Sequence, residues 1–187
     1  MAAPTPVIGK KTWGTMQAVE AFGRICLATV FLWSGVLKIR DFQGFRQHMA
    51  RTVPFTRHLT TLLATSVPVL ELSTALLLVS RRPNWGGPAF ALLLLCAFTA
   101  YLSKLLKSRP GVPCGCAGTD RTPVSRTHIL RNTLLIMIGA GTWWATTRWS
   151  SPSPTDYALV AAPAAVMGAM LLHLAELTSL FRTHAVK

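Results

Sequence analysis

Acidic side chains are scarce in this sequence. Its 187 residues include six Asp and Glu against 19 Lys and Arg, and charged residues of all kinds make up 13%. Ordinary soluble domains carry about 25% charged residues, so the shortfall argues against a water-soluble globular fold. No internal repeat is evident, and no small-x-small cleavage site follows the first apolar block, which is therefore expected to remain in the mature protein. Metal-ligand spacing is also lacking. Zinc sites usually want four ligands with C-x₂₋₄-C spacing, whereas Cys114 and Cys116 stand one residue apart with only His128 near in sequence. No metal is expected.

The imbalance of sign gives a net charge of +13, which invites a nucleic-acid reading. The basic residues, however, cluster at the ends of apolar blocks, where long side chains snorkel toward headgroups. They form no continuous basic face with interleaved aromatics, so nucleic acid is not an expected partner. A lipid bilayer is.

What the sequence has in abundance is apolar length. Hydrophobic residues make up 51% of the chain and the mean hydropathy is +0.41. A membrane-crossing helix needs roughly 20 mostly apolar residues. Five runs meet that length, at about 18–39, 59–79, 88–106, 129–149 and 157–180. The expected fold is all-α, a polytopic transmembrane helix bundle with a four-helix core and a fifth span. Residues 1–17 read as a polar tail, 18–180 as one transmembrane domain and 181–187 as a second tail. The fifth run is the weakest, being rich in Ala and carrying Pro163, His173 and Glu176. Between the first two spans, Phe42, Phe45 and Met49 recur at i, i+3, i+7 among Arg46, His48 and Arg51. That pattern predicts a short amphipathic helix in the headgroup plane.

The stretch Gly111–Asp120, GVPCGCAGTD, carries the chemistry. Cys114 and Cys116 can bridge only if the chain turns tightly between them, and Gly115 supplies that freedom. Such a ring is small and strained, and strained, exposed disulfides act as exchange centres rather than braces. Lys107, Arg109 and Arg121 nearby favour thiolate. The rival readings are copper(I) held by the soft C-x-C pair and two inert loop thiols. Cys26 and Cys96 lie at similar depth, on the order of 12 Å from the opposite face, and could meet as a buried relay. Each could equally be a small buried hydrophobe.

Glu71 sits inside an apolar run, and an intramembrane carboxylate suggests function by default. Helical rise puts it near the layer of Arg24, so an Arg24–Glu71 pair is expected, either functional or merely a lock between helices. Lys38 and Arg131, at the cysteine-face ends of their spans, read as snorkelling anchors that could instead stabilise a thiolate or a quinone carbonyl. Alternating spans put the 40–58 segment and the cysteine loop on one face. That face holds more Lys and Arg, so the positive-inside rule taken alone places it in the cytoplasm.

SGVLKI in the first span, VPVLEL in the second, the CGCAG loop and LRN in the fourth together resemble the methylamine-utilisation MauE family, grouped with DoxX-like membrane proteins. The resemblance runs from about Ala21 to Gly141. The family pattern usually reads CGCFG, and Ala117 here replaces its aromatic residue. The layout is also similar to the bundles of DsbB and vitamin K epoxide reductase. The resemblance implies a thiol–disulfide oxidoreductase of the bacterial cytoplasmic membrane. Cys114 and Cys116 would exchange electrons between a thioredoxin-like or exported protein and a quinone. It also implies an extracytoplasmic cysteine loop, against the count of charges.

Overall fold

Each apolar run forms a helix, because in lipid a single segment must satisfy its own backbone N–H and C=O groups. The computed structural model describes residues 8–52, 56–80, 85–108, 125–148 and 152–174. They form α1 (Ile8–Arg40), α2 (Phe42–Thr52), α3 (Arg57–Val79), α4 (Gly86–Ser108), α5 (Arg126–Arg148) and α6 (Pro154–Leu172). Among the described residues, four helices are long and apolar enough to cross a membrane: Thr15–Arg40 of α1, then α3, α4 and α6. The chain is an integral membrane protein, built as a polytopic helix bundle.

The helix α1 is the axis of the bundle. It packs against α3, α5 and α6, while α4 closes a four-helix ring by packing on α5 and α3. The helix α6 lies on α1 outside that ring. Side chains are buried on several sides of α1, including Ala21, Cys26, Leu27, Val30 and Phe31. This helix begins at Ile8, ten residues earlier than the apolar run, so more than half of the expected tail is helical. Propagation adds one hydrogen bond per residue once a helix is nucleated, and hydropathy does not register that extension. At 33 residues it is about 50 Å long, well beyond a hydrocarbon core of about 30 Å.

The helix α5 has the expected length but falls short of the other four in apolar content. Four of its polar residues, His128, Arg131, Asn132 and Thr142, are turned inward. His128, Arg131, Asn132, Leu135, Gly139, Thr142 and Ala145 form the buried stripe, while Leu130, Leu134 and Met137 are exposed. The order is the reverse of a soluble amphipathic helix, as suits a helix facing lipid outside and polar partners within. Trp143 and Trp144 are exposed near its C-terminal end, and Arg148 lies 5.6 Å from the Trp144 ring, as in an interfacial belt.

The polar linker before the last span sets a helix start. Ser153 caps α6: its hydroxyl accepts from the Asp156 N–H at 3.3 Å, and Asp156 accepts from the Ser153 N–H at 2.8 Å. Pro154 then occupies the first turn, where its missing N–H costs nothing. The helix reaches Leu172, and the expected end at 180 lies outside the described residues. Glu176 and residues 181–187 lie outside the described residues.

Candidate functional site

A cavity of about 280 Å³ opens inside the ring, under α2. Apolar residues make most of its wall: Val30 and Phe31 of α1, Leu63 of α3, Leu95 and Phe98 of α4, and Leu135 of α5. Phe45, His48 and Met49 of α2 roof it. The apolar face predicted to lie on headgroups is therefore partly spent on covering this space, and Phe45 is buried. Ala97 lines the cavity and is also exposed, so the cavity reaches the lipid-facing surface at α4.

Polar groups enter it from five helices, α1 to α5. Lys38 is buried, not snorkelling. Its ammonium donates to Ser34 Oγ at 2.5 Å and to Glu71 Oε1 and Oε2 at 2.8 and 2.9 Å. Ser34 donates to Glu71 Oε1 at 3.0 Å. An ammonium has three N–H donors, and all three are committed here. The rings of Phe45 and Phe98 lie 5.7 and 5.8 Å from Nζ, within cation–π range.

The expected Arg24–Glu71 pair does not form. Arg24 bonds Glu20, one turn earlier on α1, at 3.0 Å. It also reaches the Leu78 carbonyl and Thr146, whose hydroxyl donates to Glu20 at 2.9 Å. Depth along a helix fixes a layer but not a direction. Ser34 and Lys38, four residues apart, share one face of α1, and Gly35 between them lets α3 come close. A Cβ at Gly35 would lie 3.1 Å from Leu72 and 3.4 Å from Glu71. That approach delivers Glu71 to Lys38. The sequence signal was S-G-x-x-K on the first span facing a buried Glu on the second.

Arg131 is likewise buried, at 4% exposure. It donates to the Leu172 carbonyl at 3.1 Å and to Asn132 Oδ1 from two nitrogens, both at the long distance of 3.4 Å. Arg131 and Asn132 both line the cavity. At the roof, Tyr101 donates to Thr52 Oγ1 at 2.7 Å and lies 3.5 Å from His48 Nε2. Periodicity had marked His48 only as part of a polar face and had not singled out Ser34, Tyr101 or Asn132.

Cys26 and Cys96 do not meet as a pair. Both are free thiols; Cys26 is fully buried and Cys96 is exposed. The buried stripe of α4 passes through Ala91, Leu94, Leu95, Leu102 and Leu105, and Cys96 stands off it, one residue beyond Leu95. Cys114 and Cys116 lie outside the described residues. Their segment joins α4, whose last turn carries Lys107, to α5, whose first carries Arg126. Tyr101 and Arg131 are seven and five residues from those ends by number, so the cavity lies on the order of 10 Å along the helices from where the segment leaves and returns.

The family model for methylamine utilisation protein MauE matches residues 16–145, well over half of the chain. No curated protein and no solved structure matches it.

Proposed function

Since the chain belongs to the methylamine utilisation MauE family, a family of membrane proteins, we propose that it is a membrane thiol–disulfide oxidoreductase. Its C-x-C pair would pass electrons from an exported or thioredoxin-like protein to a quinone in the cavity. The observation that carries this reading is the position of the cavity, between the C-terminal half of α4 and the N-terminal half of α5. Those two helices are joined by the segment bearing Cys114 and Cys116.

A thiolate of the partner attacks one sulfur of the Cys114–Cys116 disulfide and releases the other, giving a mixed disulfide. The partner's second thiol resolves it, leaving the partner oxidised and Cys114 and Cys116 as a dithiol holding two electrons. Lys107 and Arg126 stand at the adjoining helix ends, and positive charge near the pair would favour the thiolate forms this exchange needs.

The cavity fits the acceptor in size and chemistry. Small-molecule sites run from about 300 to 1,000 Å³, and 280 Å³ suits one ring system whose tail leaves past Ala97 into lipid. The wall is apolar, with hydrogen-bond donors at Arg131 and Asn132. A quinone bound there would supply a two-electron, two-proton acceptor. Arg131 would orient a carbonyl oxygen, the Lys38–Glu71 pair would fix the wall beside it, and His48 with Tyr101 would hold a proton at the roof. The family's label names an amine, but Glu71, the one carboxylate among the described residues that line the cavity, already accepts from Lys38 and Ser34.

The test uses purified protein in lipid nanodiscs, with dithiothreitol as donor and a decyl-chain benzoquinone as acceptor. Quinone reduction above the protein-free rate is expected, and Cys114→Ser and Cys116→Ser should each return it to background. Full activity in those variants would overturn the reading. So would stoichiometric copper in the purified protein, which would make the thiols a copper(I) site.

A further inference from the structure

The buried charges among the described residues of this bundle do not balance. Among the described residues three cations are buried, Arg24, Lys38 and Arg131, against two carboxylates, Glu20 and Glu71. Glu20 takes Arg24 and Glu71 takes Lys38. For Arg131 the described residues offer no carboxylate within ion-pair distance. A guanidinium carries five N–H donors. Three are used, on Asn132 Oδ1 twice and on the Leu172 carbonyl once. One N–H on each terminal nitrogen is left without an acceptor among the described residues.

Leu172 closes α6, so the negative pole of that helix, about half an elementary charge, offsets part of the cation. The remainder sits in a low-dielectric interior, where an unpaired ion is costly. The cavity is a space beside Arg131 that a compensating group could fill. The polar lining on α1, α3 and α4 does not compete for that group: the Lys38 donors are committed to Ser34 and Glu71, the Glu71 oxygens to Lys38 and Ser34, and the Tyr101 hydroxyl proton to Thr52. Asn132 turns its oxygen to Arg131, which leaves its amide N–H groups as further donors. The wall around Arg131 thus offers donors and positive charge to whatever enters.

We infer, building on the quinone reading above, that this cavity holds an aromatic ring bearing one oxyanion in preference to the neutral ring, and that Arg131 is the residue that selects it. In the proposed reaction the Cys114–Cys116 dithiol gives up two electrons and two protons as its S–S bond forms. Both electrons and one proton delivered to a quinone leave a hydroquinone with a single oxyanion, and the second proton goes to solvent. Holding that anion more tightly than the neutral ring makes the bound ring easier to reduce.

The test is binding, with no turnover required. Full-length protein in detergent micelles is dialysed to equilibrium with 2-hydroxy-1,4-naphthoquinone, an anion at neutral pH, and separately with its neutral 2-methoxy counterpart. High salt screens the surface charge of the protein. The anion should bind on the order of tenfold tighter, as a charge-assisted hydrogen bond allows. Arg131→Gln should abolish the preference, and Arg131→Lys, which keeps the charge should Gln prevent folding, should retain part of it. Equal affinities in the wild type, or an undiminished preference in folded Arg131→Gln, would overturn the role of Arg131 and leave the quinone reading standing. Binding of neither ring would overturn both.

Discussion

At the scale of single residues, the Lys38–Glu71 pair is the feature on which the site depends. Replacing a buried ion pair with apolar groups is often neutral, whereas removing one partner typically costs about 3–5 kcal/mol. Glu71→Gln should therefore destabilise the bundle by that order, with Lys38→Met, Glu71→Leu recovering most of the loss, measured by thermal unfolding in micelles. His48 gives a pH signature. Burial, helped by the Arg51 charge, holds its imidazole below the ordinary value of 6.5. The unfolded chain then binds the proton more readily, so stability is complete above about pH 6.5 and falls as the pH drops through the window below it. Acidification from about pH 7.5 to about pH 5.5 should lower the unfolding midpoint, and His48→Gln should flatten that dependence. The sequence made Glu71 and Lys38 visible as charges in apolar runs. Their pairing was not legible, because it depends on the rotation of α1 about its axis and on the close approach at Gly35.

At the scale of elements, glycines decide how near the helices come. A Cβ at Gly168 of α6 would lie 2.8 Å from the Cys26 carbonyl oxygen and 3.2 Å from Thr29 Cβ. Backbone cannot yield there as a flexible side chain would. Gly168→Ala should push α6 off α1 and cost about 1–3 kcal/mol. Gly141 on α5 has nothing within 4 Å of the same position, so Gly141→Ala should be neutral or stabilising by up to about 1 kcal/mol, since Ala is the better helix former. Paired thermal melts of the two variants check both. Five of the six helices follow from runs of apolar residues, and α2 from the spacing of Phe42, Phe45 and Met49. Two things escaped that reasoning. One is the early start of α1, where helix continues through Gly and Lys that hydropathy scores as tail. The other is the inward polar stripe of α5, because a count of apolar residues is blind to which side of a helix they occupy.

At the scale of the whole molecule, the open question in the sequence was which side of the membrane holds the cysteines. Burial removes Lys38 and Arg131 from the headgroup charges of the cysteine face, and Arg24 from those of the other, so the excess of basic residues narrows without reversing. The oxidoreductase reading requires Cys114 and Cys116 to meet exported proteins. A membrane-impermeant maleimide added to intact cells should therefore label them after mild reduction, and leave the fully buried Cys26 unlabelled. Labelling only after the cells are broken would put the loop inside. The two internal ion pairs also bear on assembly. The helix α1 carries Glu20, Arg24 and Lys38, and only the first two neutralise each other within it. Lys38 must wait for Glu71, 33 residues behind it. Until then its stem has to stretch back to the lipid surface, so α1 and α3 should enter the bilayer as a couple, and a chain truncated before Glu71 should insert α1 poorly.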